Sequence, residues 1–523
     1  MAIIYRYEIA NKKMREKIDL SSEEDIKDNI EETIEGFFGN SLKDVFVYDK
    51  YFEFRLYDRA SSDRLRILFK LLLSRTYIIK NEIDGYYAGK SYSKKRYFSR
   101  MKQLFYGFAE INEDEITLEL IDSIDFENYG RLKVKAEKFY QNLSKDDLKQ
   151  LNILEDTALV DKIKMFLYLD IAVLKFDKKD FPESRNSIYL IEGYQRQKNW
   201  KNSDGNTYEI FYEKDLTNFS YSSGNISSDG YNTNSFYIKD VIPDVPVPNE
   251  VLNLNIMESI NEGNIVSILN EISFNKSESL TFKVHNVGQG LMTTIQRGNK
   301  CVLCFDFGCG IYRNAKTFHD YMKKVIDFTN VPIFLSHVHA DHWGALNHYR
   351  SALKAKWYIP KQEVTISFNK KVAEITACGG SVEILSDHII SGDLRIVQNN
   401  DCSKNKHKNG NILILCFNKN NNKIKIVVPG DQYYDKIDEN HLADIDILVA
   451  THHGGKPISN TANISEFILN NKGNTKDMTI VYSYGRDNSH KHPIKDQYTY
   501  LQASEFDICK KDSDFEITGY MKI

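Results

Sequence analysis

Within the stretch LSHVHADHWGAL, residues 335–346, His337, His339, Asp341 and His342 fall in six consecutive positions. Imidazoles and a carboxylate at that density point to metal binding. His337 and His339 are two residues apart, so on an extended segment they project the same way and can pinch one cation. Asp341 and His342, at the turn beyond, can reach a second cation close by. Such nitrogen and oxygen donors suit zinc, and also manganese or iron, so the donor set alone leaves the metal open. A lone histidine is ordinarily structural, but four metal-type side chains in six residues argue against that explanation.

The elements that must carry these residues are legible from residue 279 onward. SLTFKVHNVGQG, LMTTIQRGNKCVLCFDFG, VPIFLSH, AKWYIP, NILILCF, KIKIVVPGD, IDILVATHHGG and MTIVYSYG read as buried strands, several of which break off at Gly, Asp or His. HWGALNHYRSALKA predicts a helix after the histidine cluster. In sheet-based α/β folds, side chains just past strand ends converge on one rim, where chemistry is usually done. Asp306, after the apolar run CVLCF, either caps a turn or supports the site. Cys301, Cys304 and Cys309 lack the second pair that a zinc knuckle needs, and they read as core.

The H-x-H-x-D-H pattern at a strand-to-helix turn resembles the metallo-β-lactamase superfamily, and later stretches follow in the order that family requires. VVPGDQ carries Gly430 and Asp431, and LVATHHGG carries His452 and His453. VGQG, FDFGCG and YSYGRDNSHKHP, with Gln289, Asp306, Asn488 and His492, narrow the resemblance to the ComEC-like branch over roughly residues 280–523. The resemblance implies an α/β fold, a four-layer αββα sandwich with two divalent metal ions, zinc foremost, lodged between sheet ends. It assigns His337 and His339 to one ion, Asp341 and His342 to the other, and Asp431 to both. One of His452 and His453 completes the second site while its neighbour faces the substrate. His492, the second member of that pair and Asn488 are the candidates for contacting a phosphate or protonating a leaving oxygen. Asp341 belongs with the catalytic set as well, because hydroxide formed from water shared by the two ions would be the nucleophile.

Two departures from the family pattern stand out. Many members place a further histidine on the first ion, and neither His388 in SDHIISGD nor His407 in KNKHKNGN matches, since both stretches read as loops. In the ComEC-like branch that position is commonly unfilled, so an open first ion is expected here. The acidic residue that often follows GQG is Leu291.

At 523 residues the chain is long enough for two or more domains. Its 69 basic and 73 acidic residues nearly cancel, so no global field draws it onto nucleic acid. The N-terminus lacks a signal-peptide core, no apolar run reaches the roughly 18 residues of a membrane span, and seven irregularly placed cysteines suit a reducing compartment. A cytoplasmic protein with no membrane partner is expected. Residues 1–240 read as an α+β region: SSEEDIKDNIEETIEGFF, SSDRLRILFKLLLSRTYIIK and LSKDDLKQLNILEDTALVDKIKMFLYLDIAVLKF as helices, VFVYDKYFEFRLYD as strand, and 217–236 as an exposed loop. DVIPDVPVPNE, with three prolines in six residues, predicts a linker over 241–278 that contains a connecting helix from about 251 to 272. The hydrolase domain then spans 279–523.

KSYSKKRYFSRMKQLFYGF interleaves cations with aromatics, the chemistry of a nucleic-acid surface, although such runs are more often solvated helix faces. Together these readings predict a binuclear phosphodiesterase, a nuclease acting on DNA foremost, whose N-terminal region captures substrate or regulates. The alternatives are a cyclic-nucleotide, lactone or thioester hydrolase, or a sensor or defence effector that acts with a regulatory protein partner bound through the N-terminal region.

Overall fold

A computed structural model describes residues 3–8, 23–47, 51–56, 102–111, 115–122, 171–177, 188–196, 207–213, 231–243, 279–399, 405–456, 478–494 and 503–521, with a few single positions between them. The chain divides into two compact units, one of residues 1–102 with 194–205, the other of residues 103–193 with 206–523.

In the first unit β1 (Ile3–Glu8), β2 (Leu42–Val47) and β3 (Tyr51–Leu56) form an antiparallel sheet in the order β1-β3-β2, preceded along the chain at β2 by helix α1 (Glu23–Phe38). The strand and first helix expected from sequence here are present. The helix expected over 61–80, the cationic-aromatic run at 90–101, the loop at 217–230 and most of the helices expected over 143–170 and 251–272 lie outside the described residues.

Strands β4 (Lys102–Ile111), β5 (Glu115–Asp122), β6 (Ile171–Asp177), β7 (Ile188–Arg196), β8 (Thr207–Glu213) and β9 (Tyr231–Pro243) close a barrel in the order β4-β5-β6-β8-β9-β7. Two expectations are corrected here. IAVLKF, expected as the end of a helix, is β6: its β-branched residues pair with β5, and Ala172, Val173 and Leu174 are all buried. Residues 231–236, expected as loop on their Ser and Asn content, are in β9, where they pair with β8 from Tyr231 to Tyr237. Backbone pairing there outweighs composition. Barrel residues 103–193 and 207–243 belong to the second compact unit.

From residue 279 the chain forms one hydrogen-bonded sheet of 14 strands among the described residues. Its first half holds β10 (Ser279–Val284), β11 (Met292–Arg297), β12 (Lys300–Phe307), β13 (Pro332–Phe334), β14 (Lys356–Pro360) and β15 (Ser381–Leu385). The second holds β16 (Ile389–Ser391), β17 (Leu394–Gln398), β18 (Asn411–Lys419), β19 (Asn422–Val428), β20 (Ile447–Val449), β21 (Thr479–Tyr482) and β22 (Ser504–Asp507). The last strand, β23 (Phe515–Tyr520), pairs with both β10 and β18 and joins the halves.

Side chains that alternate along each strand sort into separate apolar cores. Leu303, Phe305 and Phe334 of the first half meet Leu413, Leu415, Val428 and Val449 of the second in one cluster. On the first half's other side, Phe307, Ile333 and Trp357 pack with helix α2 (Ile366–Ala377). On the second half's other side, Ile412, Val427, Leu448 and Ile480 form a third cluster. The two halves therefore face each other across a shared core.

The helix expected from HWGALNHYRSALKA is instead three short 3-10 turns, Ala340–His342, Gly344–Asn347 and Arg350–Lys354. The backbone leaves helical geometry at Trp343 and Tyr349. Both aromatics are buried, Trp343 against Phe368 and Tyr349 against Phe307, so packing outweighs a continuous helix. Among the described residues no helix is long and apolar enough to cross a membrane.

The seam between the halves carries a carboxylate. Asp514 accepts from Asn286 N at 2.9 Å and lies 3.3 Å from His285 Nδ1 and 3.5 Å from Lys324 Nζ. Burial would raise its pKa, but these partners outweigh burial and hold it at about 2, below the usual 3.8. A depressed folded-state value contributes stability that is present above the unfolded pKa and is lost as pH falls through the folded one. Asp514→Asn is expected to cost about 2 kcal/mol at pH 7 and roughly half of that at pH 3, read as the gap between urea unfolding curves. A gap that does not change with pH would contradict this account.

Candidate metal centre

The site forms where strands of both halves end on the same side. β13 stops at Phe334, and Leu335 and Ser336 lead to His337. His339 is extended (φ −81°, ψ 150°) and opens the tight turn that holds Asp341 and His342. β19 stops at Val428 and is followed by Pro429, Gly430 and Asp431. Gly430 has φ +59°, and a Cβ there would meet Ser336 Oγ at 2.2 Å, so this close approach of the two loops requires glycine. Gly308 is needed for a similar reason, since a Cβ would strike the carbonyl of Asp341.

Two groups of metal-type side chains converge among the described residues. One is His337, His339, His407 and Asp431, and the other is Asp341, His342, Asp431 and His453; within each, the donor atoms lie within 4.8 Å of one another. In the first, His337 Nε2 is 2.8 Å and His407 Nε2 3.2 Å from His339 Nδ1, and Asp431 Oδ2 is 3.7 Å from His337. In the second, Asp431 Oδ1 is 3.1 Å from His342 Nε2 and 3.8 Å from His453 Nε2, which is 3.2 Å from Asp341 Oδ2. Asp431 offers one oxygen to each group.

Two of the remaining ring nitrogens, on His342 and His453, are held by the protein. Asp306, buried and at φ +57°, accepts from Ser336 N at 2.7 Å and lies 3.0 Å from His342 Nδ1. A proton on that Nδ1 leaves Nε2 with its lone pair facing Asp431. His453 Nδ1 lies 3.1 Å from the carbonyl of Ser483, which aims its Nε2 inward in the same way.

This arrangement fits a pair of cations. His342 Nε2 and Asp431 Oδ1 are buried and make no hydrogen bond, an arrangement that is costly unless another charge occupies the space. His337 and His407 have their pKa values pushed well down by burial and by neighbouring imidazoles, leaving neutral rings. Burial would raise Asp431, but His342, His452 and His453 outweigh it and keep the carboxyl ionised. At His342 burial opposes charge, yet Asp431 and Asp306 overcome it and draw positive charge onto the ring. Neutral imidazoles at His337 and His407, beside an ionised Asp431 that draws positive charge toward it, form a donor set for divalent cations, one of which would take the place of the second ring proton on His342.

Each residue expected from sequence can now be placed. His337, His339, Asp341, His342, Asp431 and His453 lie in the two groups, whereas His452 lies in neither. His452 Nε2 is 3.8 Å from Asp431 Oδ2, its Nδ1 is buried without a hydrogen bond, and its side chain is 28% exposed toward the cleft. The adjacent His452 and His453 both take left-handed backbone angles, φ 50° and 55°, a costly conformation that turns their rings to different sides. Asn488, expected to contact the phosphate, instead donates to the carbonyls of Gly485 (2.9 Å) and His492 (2.8 Å) and accepts from His492 N (3.0 Å). It is committed to holding that loop. His492 lines the cleft, and Gln289 Nε2 donates to its Nδ1 at 3.2 Å, leaving the proton on Nε2. Burial first, then the charges of His452, His453 and His490, push its pKa down to about 2.

Sequence reasoning misses His407, because its Lys- and Asn-rich stretch reads as loop. It is in a loop, a turn leading into β18, but the turn is anchored: Tyr433 N donates to the His407 carbonyl at 3.0 Å, and Asn405 caps His407 N at 2.9 Å. The expected vacancy on the first group is therefore filled. The three cysteines Cys301, Cys304 and Cys309 are buried in the core, with thiols that burial keeps protonated.

Both groups open onto one cleft of about 430 Å³, whose lining includes Lys175, Arg313, Asn314, Lys456 and His490. No family model matches the chain, and no curated protein matches it. Among solved structures, a subclass B3 metallo-β-lactamase from a soil metagenome library is 15% identical, with a TM-score of 0.22 over 34% of this chain and 80% of its own. The short form of human tRNase Z is 12% identical, with a TM-score of 0.27 over 47% of this chain and 100% of its own.

Proposed function

We propose that this chain is a binuclear metal-dependent hydrolase that cleaves phosphodiesters, with nucleic acid, DNA foremost, as its substrate class. The observation that carries the proposal is Asp431, whose two oxygens serve two separate groups of imidazole and carboxylate donors. His337, His339, His407 and Asp431 would hold one cation, and Asp341, His342, His453 and Asp431 the other. Two divalent ions, zinc foremost, would supply Lewis acidity and lower the pKa of water from 15.7 toward about 7.

The protein's own groups do the rest. Lys175, Arg313 and Lys456 line the approach beside Glu110 and Glu119, and two bound cations would add the charge that favours an anion. His492, neutral with its hydrogen on Nε2, would donate a hydrogen bond to a non-bridging oxygen or to the leaving oxygen. Gln289 fixes that tautomer, and Asn488 fixes the loop. His452, outside both donor groups yet beside His492, with ring centroids 5.3 Å apart, is the second donor to substrate.

The same proposal places the chain in the metallo-β-lactamase superfamily with an αββα sandwich. Motif order supports it, as do one apolar layer between two facing half-sheets and one on the outer side of each. His407 in the first group removes one reason for the narrower ComEC-like assignment.

Purified protein is expected to contain two divalent ions per chain by elemental analysis and to hydrolyse a bis-aryl phosphate, with plasmid and single-stranded DNA as the macromolecular test. Two bound ions without activity on any of the three would turn the proposal toward carboxylic esters and thioesters. Protein that takes up no ions would end it.

A further inference from the structure

We infer that Glu110, on barrel strand β4, is the positioning carboxylate that orients His339, so that the barrel completes the metal centre. The inference rests on the proposed binding of two cations. His339 turns Nδ1 toward the other donors, 2.8 Å from His337 Nε2 and 3.2 Å from His407 Nε2. An imidazole that ligates through Nδ1 must carry its proton on Nε2. That Nε2 is buried and has no aligned hydrogen-bond acceptor. It faces Glu110 Oε1 at 3.4 Å. Ligating histidines almost always give their second N–H to a carboxylate, a carbonyl or water, which sets ring orientation and basicity. Among these three kinds of partner, the side chain within reach is Glu110.

Glu110 does not reach the site by chance. The same Oε1 is ion-paired with Lys406, the residue before His407, so one carboxylate touches the ring of one proposed ligand and the neighbour of another. The barrel is held in register with the sheet at further points within the same compact unit. Glu119 of β5 accepts from Ser367 N in the first turn of α2 at 3.0 Å, and Lys370 Nζ donates to the carbonyl of Leu169 at 2.9 Å. Strand β4 lies about 230 residues before His339 in sequence, so the contact depends on the tertiary fold alone.

A plain alternative is that Glu110 and Lys406 form only a tether between barrel and sheet. Glu110→Gln keeps the size and a hydrogen-bonding oxygen but removes the charge that favours the Nε2–H tautomer. Lys406→Met breaks the tether and leaves the carboxylate beside His339. Zinc affinity of the full chain, measured by competition with a chromophoric chelator, and the visible spectrum of the cobalt(II)-loaded protein report on the site without any substrate.

Glu110→Gln is expected to weaken one of the two zinc ions by about 10- to 100-fold and to shift the cobalt spectrum. Lys406→Met is expected to stay within about threefold of the parent by the same measure. Wild-type affinity and spectrum in Glu110→Gln would overturn the inference, as would an equal loss in Lys406→Met. In either case two ions on the unmutated chain leave the metal-centre proposal standing, whereas no uptake by that chain would remove both.

Discussion

Asp431→Ala is expected to lose both cations and at least about a thousandfold in turnover, the largest single effect in the molecule. The reason is geometric. Oδ2 lies 3.7 Å from His337 Nε2 and Oδ1 lies 3.1 Å from His342 Nε2, so one truncation strips a donor from each group. It also removes the anion that would hold two like charges near each other. Asp341→Ala makes the graded comparison, because Asp341 belongs to one group only. That variant is expected to lose one ion firmly, weaken the other, and lose activity with them. Elemental analysis after dialysis, beside hydrolysis of a bis-aryl phosphate, distinguishes the two variants. Two ions retained in Asp431→Ala would mean that the shared carboxylate is structural. Near-ultraviolet circular dichroism guards against the trivial outcome, since a folded but empty protein keeps its aromatic signal from the buried Trp357 and Tyr358.

How much of the fold and site is legible in the amino-acid sequence follows from how local each cause is. Nine strands of 279–523, β10–β14 and β18–β21, announce themselves because buried strands need consecutive apolar residues and stop where the sequence turns polar, whereas β15, β16, β17, β22 and β23 are short or interrupted by polar residues and do not. His337, His339, Asp341 and His342 are legible for the same reason, being packed into one turn. Asp431 and His453 need the strand-end rule, which gathers residues from separate strands on a common rim. His407 has no such support: a single imidazole among lysines and asparagines has no period, and its turn is held by Tyr433 and Asn405, contacts invisible in the sequence. Asn488 misleads because its residue type suits substrate contact, yet both ends of its amide are consumed by the backbone of its own loop. The 343–354 helix fails to form because helical periodicity and the burial of Trp343 and Tyr349 make conflicting demands on the chain. Glu110 lies in a strand with no motif at all, and only closure of the barrel brings it to His339.

The paired histidines 452 and 453 separate metal binding from chemistry, and opposite outcomes are expected for two adjacent alanine variants. His453 is buried, with Nδ1 held at the Ser483 carbonyl and Nε2 3.2 Å from Asp341, so His453→Ala removes a donor and should lose the second ion together with turnover. His452 belongs to neither donor group and instead stands in the cleft with His407 and His492, ring centroids 4.6 Å and 5.3 Å away. His452→Ala should therefore keep two ions while losing about a hundredfold or more in turnover, the usual size of a lost proton donor or transition-state contact. Because alanine at 452 or 453 must adopt the same left-handed backbone, φ near 50°, the strain is common to both variants and cannot produce the difference between them. The pair of measurements is metal content and kcat with the bis-aryl phosphate. Loss of an ion in His452→Ala with retention in His453→Ala would reverse the assignment and put the solvent-facing ring, not the buried one, on the metal.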